Sequence, residues 1–279
     1  MATGGGIMAI VDYQALQDRI HRNLADPDLR DGAREVYTST LRKIGVAQDV
    51  AANLADRMIE ELEQPGRSLR EAESSIYSLF SSTMMRNKYV GSASISDAFA
   101  DSQDRRSKAF SSQLGLWLDE MPAGSTVVNL STDHEPLALT SRANLQISDS
   151  RDPDAISGQF SMAVLNNVLH HASPERAAEI LSTLSPKVTD RLVVIENTSY
   201  GETATDIARD TELQFMNEYL FQRLMLDPAT HDVAIPANYG TAEEWSERIE
   251  TLGWRLQERD SFPGDPHHTI LVFEKDAPG

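Results

Sequence analysis

Along the first third of the chain the apolar positions recur at helical spacing. Leu16, Ile20 and Leu24 stand at i, i+4 and i+8, and Val50, Leu54, Met58 and Leu62 repeat the pattern, which places each set on one face of a helix. Asp26-Pro27-Asp28, Gly45 and Pro65-Gly66 fall between these runs, where chain-breaking residues end helices. Ser68 with Glu71 three residues on has the form of a capping box opening a further helix. The pattern predicts three or four helices up to about Phe80. Periodicity then fails from Arg86 to Ser94 and resumes from Ile95 to Met121 with Phe99, Phe110, Leu114, Trp117 and Leu118.

Beyond Pro122-Ala123-Gly124 the period changes. Thr126–Leu130, Leu145–Ile147, Phe160–Leu165 and Arg191–Ile195 are short, apolar and rich in β-branched residues, as strands buried on both faces are. Helical segments separate the later runs, so a parallel sheet with helices on both faces is expected. Trp254–Phe262 and Thr269–Glu274 are joined by a turn rich in Pro and Gly, and they predict an antiparallel closing hairpin. The expected division is a Gly-rich leader over 1–9, a helical region over 10–121 and an α/β domain over 122–279.

Composition narrows the chemistry. With no cysteine among 279 residues, disulfides, thiolate nucleophiles and Cys-ligated zinc are excluded. A formal net charge of −18 repels a nucleic-acid backbone, and the basic cluster Arg105, Arg106 and Lys108 sits beside Asp101 and Asp104. No apolar run reaches the roughly 18–20 residues that cross a bilayer, and the start lacks a basic, apolar leader. A cytoplasmic location without membrane attachment is expected.

The tract Phe160-Ser161-Met162-Ala163-Val164-Leu165-Asn166-Asn167-Val168-Leu169-His170-His171 resembles the fourth strand and following turn of class I S-adenosylmethionine-dependent methyltransferases, with Ser161 where the family's aspartate stands. The resemblance continues in register through Pro174–Leu184, Arg191–Glu196 and Tyr239–Trp245 to the closing hairpin. It implies a Rossmann-like α/β fold with S-adenosylmethionine as cofactor, and a helical N-terminal extension used as lid, specificity element or dimerisation surface. The family's glycine-rich loop aligns with Asn129-Leu130-Ser131-Thr132-Asp133-His134-Glu135, in which every glycine is replaced. The stretch before Phe160 is also shorter than the family needs for two βα units. Leu145–Asp149 is therefore either the second strand, whose terminal acid grips the ribose hydroxyls, or the third, whose acid contacts adenine.

On this resemblance Asn129, Ser131, Asp133, Asp149, Asn166 and Asn167 would line the cofactor. His170 and Glu196 are the candidate bases, and Tyr89 and Tyr200 the candidate substrate contacts. Each has a plainer reading: His170-His171 as a strand cap packed below the site, Asn166-Asn167 as a turn, and Glu196–Glu202 as a solvated loop with Thr205 or Asp206 capping the next helix. Phe215, Met216, Tyr219, Leu220, Leu224 and Met225 form an apolar face that core packing explains. Asp265, His267 and His268 are too loosely spaced for a metal site, and no P-loop, zincin or Ser-His-Asp pattern occurs. The Asn/Asp-Pro-Pro-Tyr tetrapeptide of amino-methylating DNA enzymes is absent after Leu165. Two functions follow: O- or C-methylation of a small molecule, or a catalytically inactive methyltransferase-like scaffold with a protein partner. A homodimer is compatible with either.

Overall fold

The computed structural model describes residues 12–87, 95–131, 142–225, 238–262 and 265–276, with Leu137, Leu139 and Ile235. Tyr89, Asp133 and Glu135 lie outside the described residues. Two compact units emerge: one formed by Gln103–Tyr200 and Pro236–Gly279, the other by Ile10–Ser102 and Gly201–Ile235. The boundary thus falls inside a helix rather than after Met121. The segment from Gly201 to Ile235, expected within the α/β domain, belongs to the helical unit.

The helical unit holds α1 (Tyr13–Ala25), α2 (Pro27–Lys43), α3 (Gln48–Leu62), α4 (Leu69–Asn87) and α7 (Ala204–Tyr219). Asp12 and Asp26 cap α1 and α2 with their carboxylates, each satisfying orphan amides of a first turn. Helix α7 is capped by Thr203 through a full capping box with Asp206, ahead of the expected Thr205 or Asp206. It packs against α2, where Gly32 opens the way: a Cβ there would lie 2.7 Å from Leu213 Cδ2. Three polar ties fasten α7 and its continuation. Glu212 accepts from Arg19 (2.8 and 3.0 Å) and Asn23 (2.7 Å), and Thr40 donates to Asn217 (2.9 Å). Where α7 widens into a π turn (Leu220–Leu224), Arg223 donates to Glu73 through Nε (3.1 Å) and Nη2 (3.0 Å), and Tyr219 donates to the same carboxylate. The apolar face Phe215, Met216, Tyr219, Leu220, Leu224 and Met225 is buried, as core packing requires.

The α/β unit holds six strands: β1 (Thr126–Ser131), β2 (Gln146–Ser150), β3 (Phe160–Asn166), β4 (Val188–Asn197), β5 (Trp254–Phe262) and β6 (Asp265–Lys275). Their order is β2-β1-β3-β4-β6-β5. The first four run parallel, and β6 is antiparallel to both β4 and β5. This is the expected Rossmann-like sheet with an antiparallel terminal hairpin. One face is covered by the second half of α5 (Ile95–Asp119) through Phe110, Leu114, Trp117 and Leu118 against Val127, Val164, Val193 and Ile270. The other carries α6 (Pro174–Leu184) and α8 (Ala242–Glu250), whose Ile180, Leu181, Trp245 and Ile249 pack on Val128, Leu130, Leu165 and Val194. Among the described residues no helix is long and apolar enough to cross a membrane.

Candidate ligand site at the carboxyl edge of the sheet

From β1 the chain proceeds to β2 on one side, and β3 then takes the place on the other side of β1. Where successive strands leave in opposite directions, their connections part and leave a crevice at the carboxyl ends, the place where open α/β sheets take ligands. Ser131 and Asn166 are register partners across this switch point. Asn129, Ser131, Asn166 and Asn167 are all buried there. The turn after β3 is sharp: Asn167 has φ +52°, a left-handed conformation that Asn tolerates and that concentrates at functional turns. Its amide donates to Ile195 O (2.8 Å).

On the β2 side, Asp149 is the register partner of Asn129. Asn129 Nδ2 donates to Asp149 Oδ1 (2.7 Å) and to Leu137 O (2.6 Å). Arg151, just past β2, donates to the Ser131 hydroxyl. The register brings the expected Asn129, Ser131 and Asp149 together, while Arg151, which joins them through Ser131, lies beyond the strand's apolar pattern and carries no signal in the sequence.

Beyond Asn167 the turn Val168-Leu169-His170 wraps around one carboxylate. Glu196 Oε1 accepts from the amides of Val168 (3.0 Å) and Leu169 (2.7 Å), and Oε2 accepts from the His170 amide (3.3 Å) and lies 2.5 Å from His170 Nδ1. Glu196 and His170 are both 0% exposed. A carboxylate with every lone-pair direction occupied positions a turn; it has none left for abstracting a proton. Asn238 closes the same turn, its Nδ2 donating to Leu169 O (3.2 Å). The His170 ring packs against those of His171 (centroids 4.3 Å) and Tyr239 (5.7 Å).

Tyr200 follows the carboxyl end of β4. Its hydroxyl meets Thr269 Oγ1 (2.9 Å), which in turn meets Thr198 Oγ1 (2.6 Å). His267 packs against Tyr200 in an edge arrangement (5.5 Å), and the His268 ring lies tilted against Phe110 (5.6 Å).

No family model matches the chain, and no curated protein matches it. Among solved structures it is similar to an O-methyltransferase family 2 protein from Planctomyces limnophilus in complex with apigenin, at 14% identity over 82% of this chain and 67% of that one, TM-score 0.39. It is similar also to the pyocyanin biosynthetic protein PhzM, at 16% identity over 55% of this chain and 51% of that one, TM-score 0.35. A third likeness is to magnesium protoporphyrin IX methyltransferase from Synechocystis with bound S-adenosylhomocysteine, at 11% identity over 73% of this chain and 99% of that one, TM-score 0.43. The chain therefore spans about half the length of one of these proteins and nearly all of another.

Proposed function

We infer that this chain is a small-molecule methyltransferase that binds S-adenosylmethionine at the carboxyl edge of β1, β2 and β3. The observation that carries the reading is the pair of buried amide oxygens at the switch point. Asn129 Oδ1 and Asn167 Oδ1 are buried acceptors that meet no donor among the described residues, and a buried polar atom without a partner costs about 1–3 kcal/mol unless something supplies it. An amino-acid ammonium and an adenine amine are donors of the right kind. Asp149 supplies the acid for ribose hydroxyls, and its direct pairing with β1 supports reading β2 as the second strand of the resemblance. The fit is incomplete where the glycine-rich loop should be, because Ser131 and its successors carry side chains where the family has none.

When bound, S-adenosylmethionine supplies an electrophilic methyl group. The chain's part is to orient the acceptor and receive its proton. In His170 the hydrogen bond from Nδ1 to Glu196 fixes the tautomer, so Nε2 is the basic nitrogen, and Glu196 is a positioning residue. A hydroxyl or acidic carbon nucleophile suits such a base. The inactive scaffold is the second reading, favoured by the complete burial of His170.

Calorimetric titration with S-adenosylmethionine and S-adenosylhomocysteine decides between them. Micromolar binding of either is expected; absence of both up to millimolar concentration would establish the scaffold. For a binding protein, methyl transfer from labelled cofactor to a panel of phenols, hydroxy acids and carbon acids gives the acceptor class, and Asn167→Ala should weaken cofactor binding.

A further inference from the structure

The turn Val168-Leu169-His170 is held from two sides by opposite chemistry. Glu196 takes its amides, whereas Asn238 takes its carbonyls: the side-chain Nδ2 donates to Leu169 O (3.2 Å) and the backbone N–H to His170 O (3.3 Å). The next residue, Tyr239, lays its ring on the His170 imidazole, with centroids 5.7 Å apart and planes 27° from parallel.

The chain is pinned beyond Tyr239 as well. Gly240 O accepts from the Ser199 N–H (3.0 Å), and Gly240 pairs with Thr198 in a parallel bridge. Thr241 then opens α8 through a capping box with Glu244 (2.9 and 3.1 Å). Glycine suits this course, since a Cβ at position 240 would lie 3.1 Å from Glu244 Oε2 and 3.3 Å from Trp245 Nε1. Ties on both sides fix the backbone of Tyr239, and with it the side of the imidazole that its ring can reach.

We propose that Tyr239 is a positioning residue for His170, whose ring face holds the plane of the imidazole and favours the imidazolium that forms when the base receives the acceptor's proton. The negative face of a tyrosine ring attracts a cation within about 6 Å of its centroid, and does so more strongly where water is excluded. His170 is 0% exposed, so the attraction is little screened. A neutral imidazole gains little from the ring's quadrupole, and the contact therefore acts on the difference between the two protonation states. The titratable groups that the described contacts bring to this imidazole are Glu196 from β4, His171 from the same turn and Tyr239. Glu196 acts at the edge, through Nδ1, and Tyr239 acts at the face, so the two can be removed separately. The role of His170 as base rests on the function proposed above; the effect of one ring on the protonation of the other does not.

Tyr239→Leu removes the face and keeps an apolar side chain, whereas Tyr239→Phe keeps the face and removes only the hydroxyl. The His170 titration can be followed by nitrogen NMR on protein carrying isotope-labelled histidine, with the signal assigned by its loss in His170→Asn. Its midpoint should move down in Tyr239→Leu by about 0.5–1.5 pH units and stay at the wild-type position in Tyr239→Phe. No shift in Tyr239→Leu, equal shifts in both variants, or a His170 that never titrates in the folded wild type would overturn the proposal. In catalysis, the acid limb of kcat against pH should move down in Tyr239→Leu together with the imidazole, at unchanged affinity for S-adenosylmethionine, and Tyr239→Phe should restore it. If the wild type binds neither S-adenosylmethionine nor S-adenosylhomocysteine, the functional reading falls and the base role with it, while the NMR titration still judges the pairing of the two rings.

Discussion

Glu196 holds His170 twice, through the backbone amide at 3.3 Å and through the ring nitrogen Nδ1 at 2.5 Å. The same carboxylate accepts from Val168 and Leu169, so one side chain shapes the whole turn that follows β3. Glu196→Gln replaces one acceptor oxygen with a donor that faces other donors whichever way the amide points. We expect a loss of about 3 kcal/mol in urea unfolding, the range seen when one partner of a buried charged network is removed. A loss below about 1 kcal/mol would mean that the turn is held by its apolar residues instead.

The Glu73–Arg223 pair is 0% exposed on both sides and lies where α7 widens into its π turn. Deleting one partner strands the other as a buried charge, so Glu73→Gln and Arg223→Met should each cost about 3–5 kcal/mol. Replacing both, as in Glu73→Leu/Arg223→Met, should cost less than either single change. A double-mutant cycle by urea unfolding measures the coupling directly, and additive single costs would show the two groups to be independent.

Gly201 has almost no room above it: a Cβ would lie 2.5 Å from the Ile207 nitrogen and 2.6 Å from Asp206 Cβ. Backbone cannot step aside as a flexible side chain can, so Gly201→Ala should push the start of α7 away and cost about 1–3 kcal/mol. Thermal unfolding of the two proteins side by side gives the number. An unchanged melting temperature would show that the loop relaxes freely.

Acid should loosen the helical unit through Glu212. Burial pushes its carboxyl up, but the hydrogen bonds from Arg19 and Asn23 outweigh burial and hold it below the usual range. A depressed folded value means that the stability is present above the ordinary carboxylate pKa and is lost as pH falls through the lowered one. Between about pH 5 and 3 the wild type should therefore lose more stability than Glu212→Gln, measured as the difference in melting temperature between the two ends of that window. Parallel losses in the two proteins would remove Glu212 as a cause.

The parallel strands were legible because strands buried on both faces are continuous apolar runs, as in Val127–Leu130 and Met162–Leu165. The hairpin was legible from its turn residues. The placement of Gly201–Ile235 was not: the spacing of Phe215, Met216, Tyr219 and Leu220 shows that a face is buried and is silent about what buries it. The capping box of α7 is legible in the sequence, since Thr203 and Asp206 stand three apart, though Thr205 and Asp206 are cap-forming residues too and compete for the same start. At the site, residue types pointed to Asn129, Asp149 and His170, whereas their roles depend on register. Only the pairing of β1 with β2 sets Asn129 opposite Asp149, and only the folded turn reveals that Glu196 is filled with donors from Val168, Leu169 and His170.

The three ties that fasten α7 to the amino-terminal helices bridge long stretches of chain, 193 residues between Arg19 and Glu212 and 150 between Glu73 and Arg223. A ribosome delivers α1 to α4 well before α7, so those helices must wait while all four parallel strands emerge in between. The helical unit thus stays open until the segment up to Ile235 has been made, long after its first four helices. Until then its apolar faces are exposed, and nascent chains stalled before Gly201 should be the ones that holdase chaperones retain.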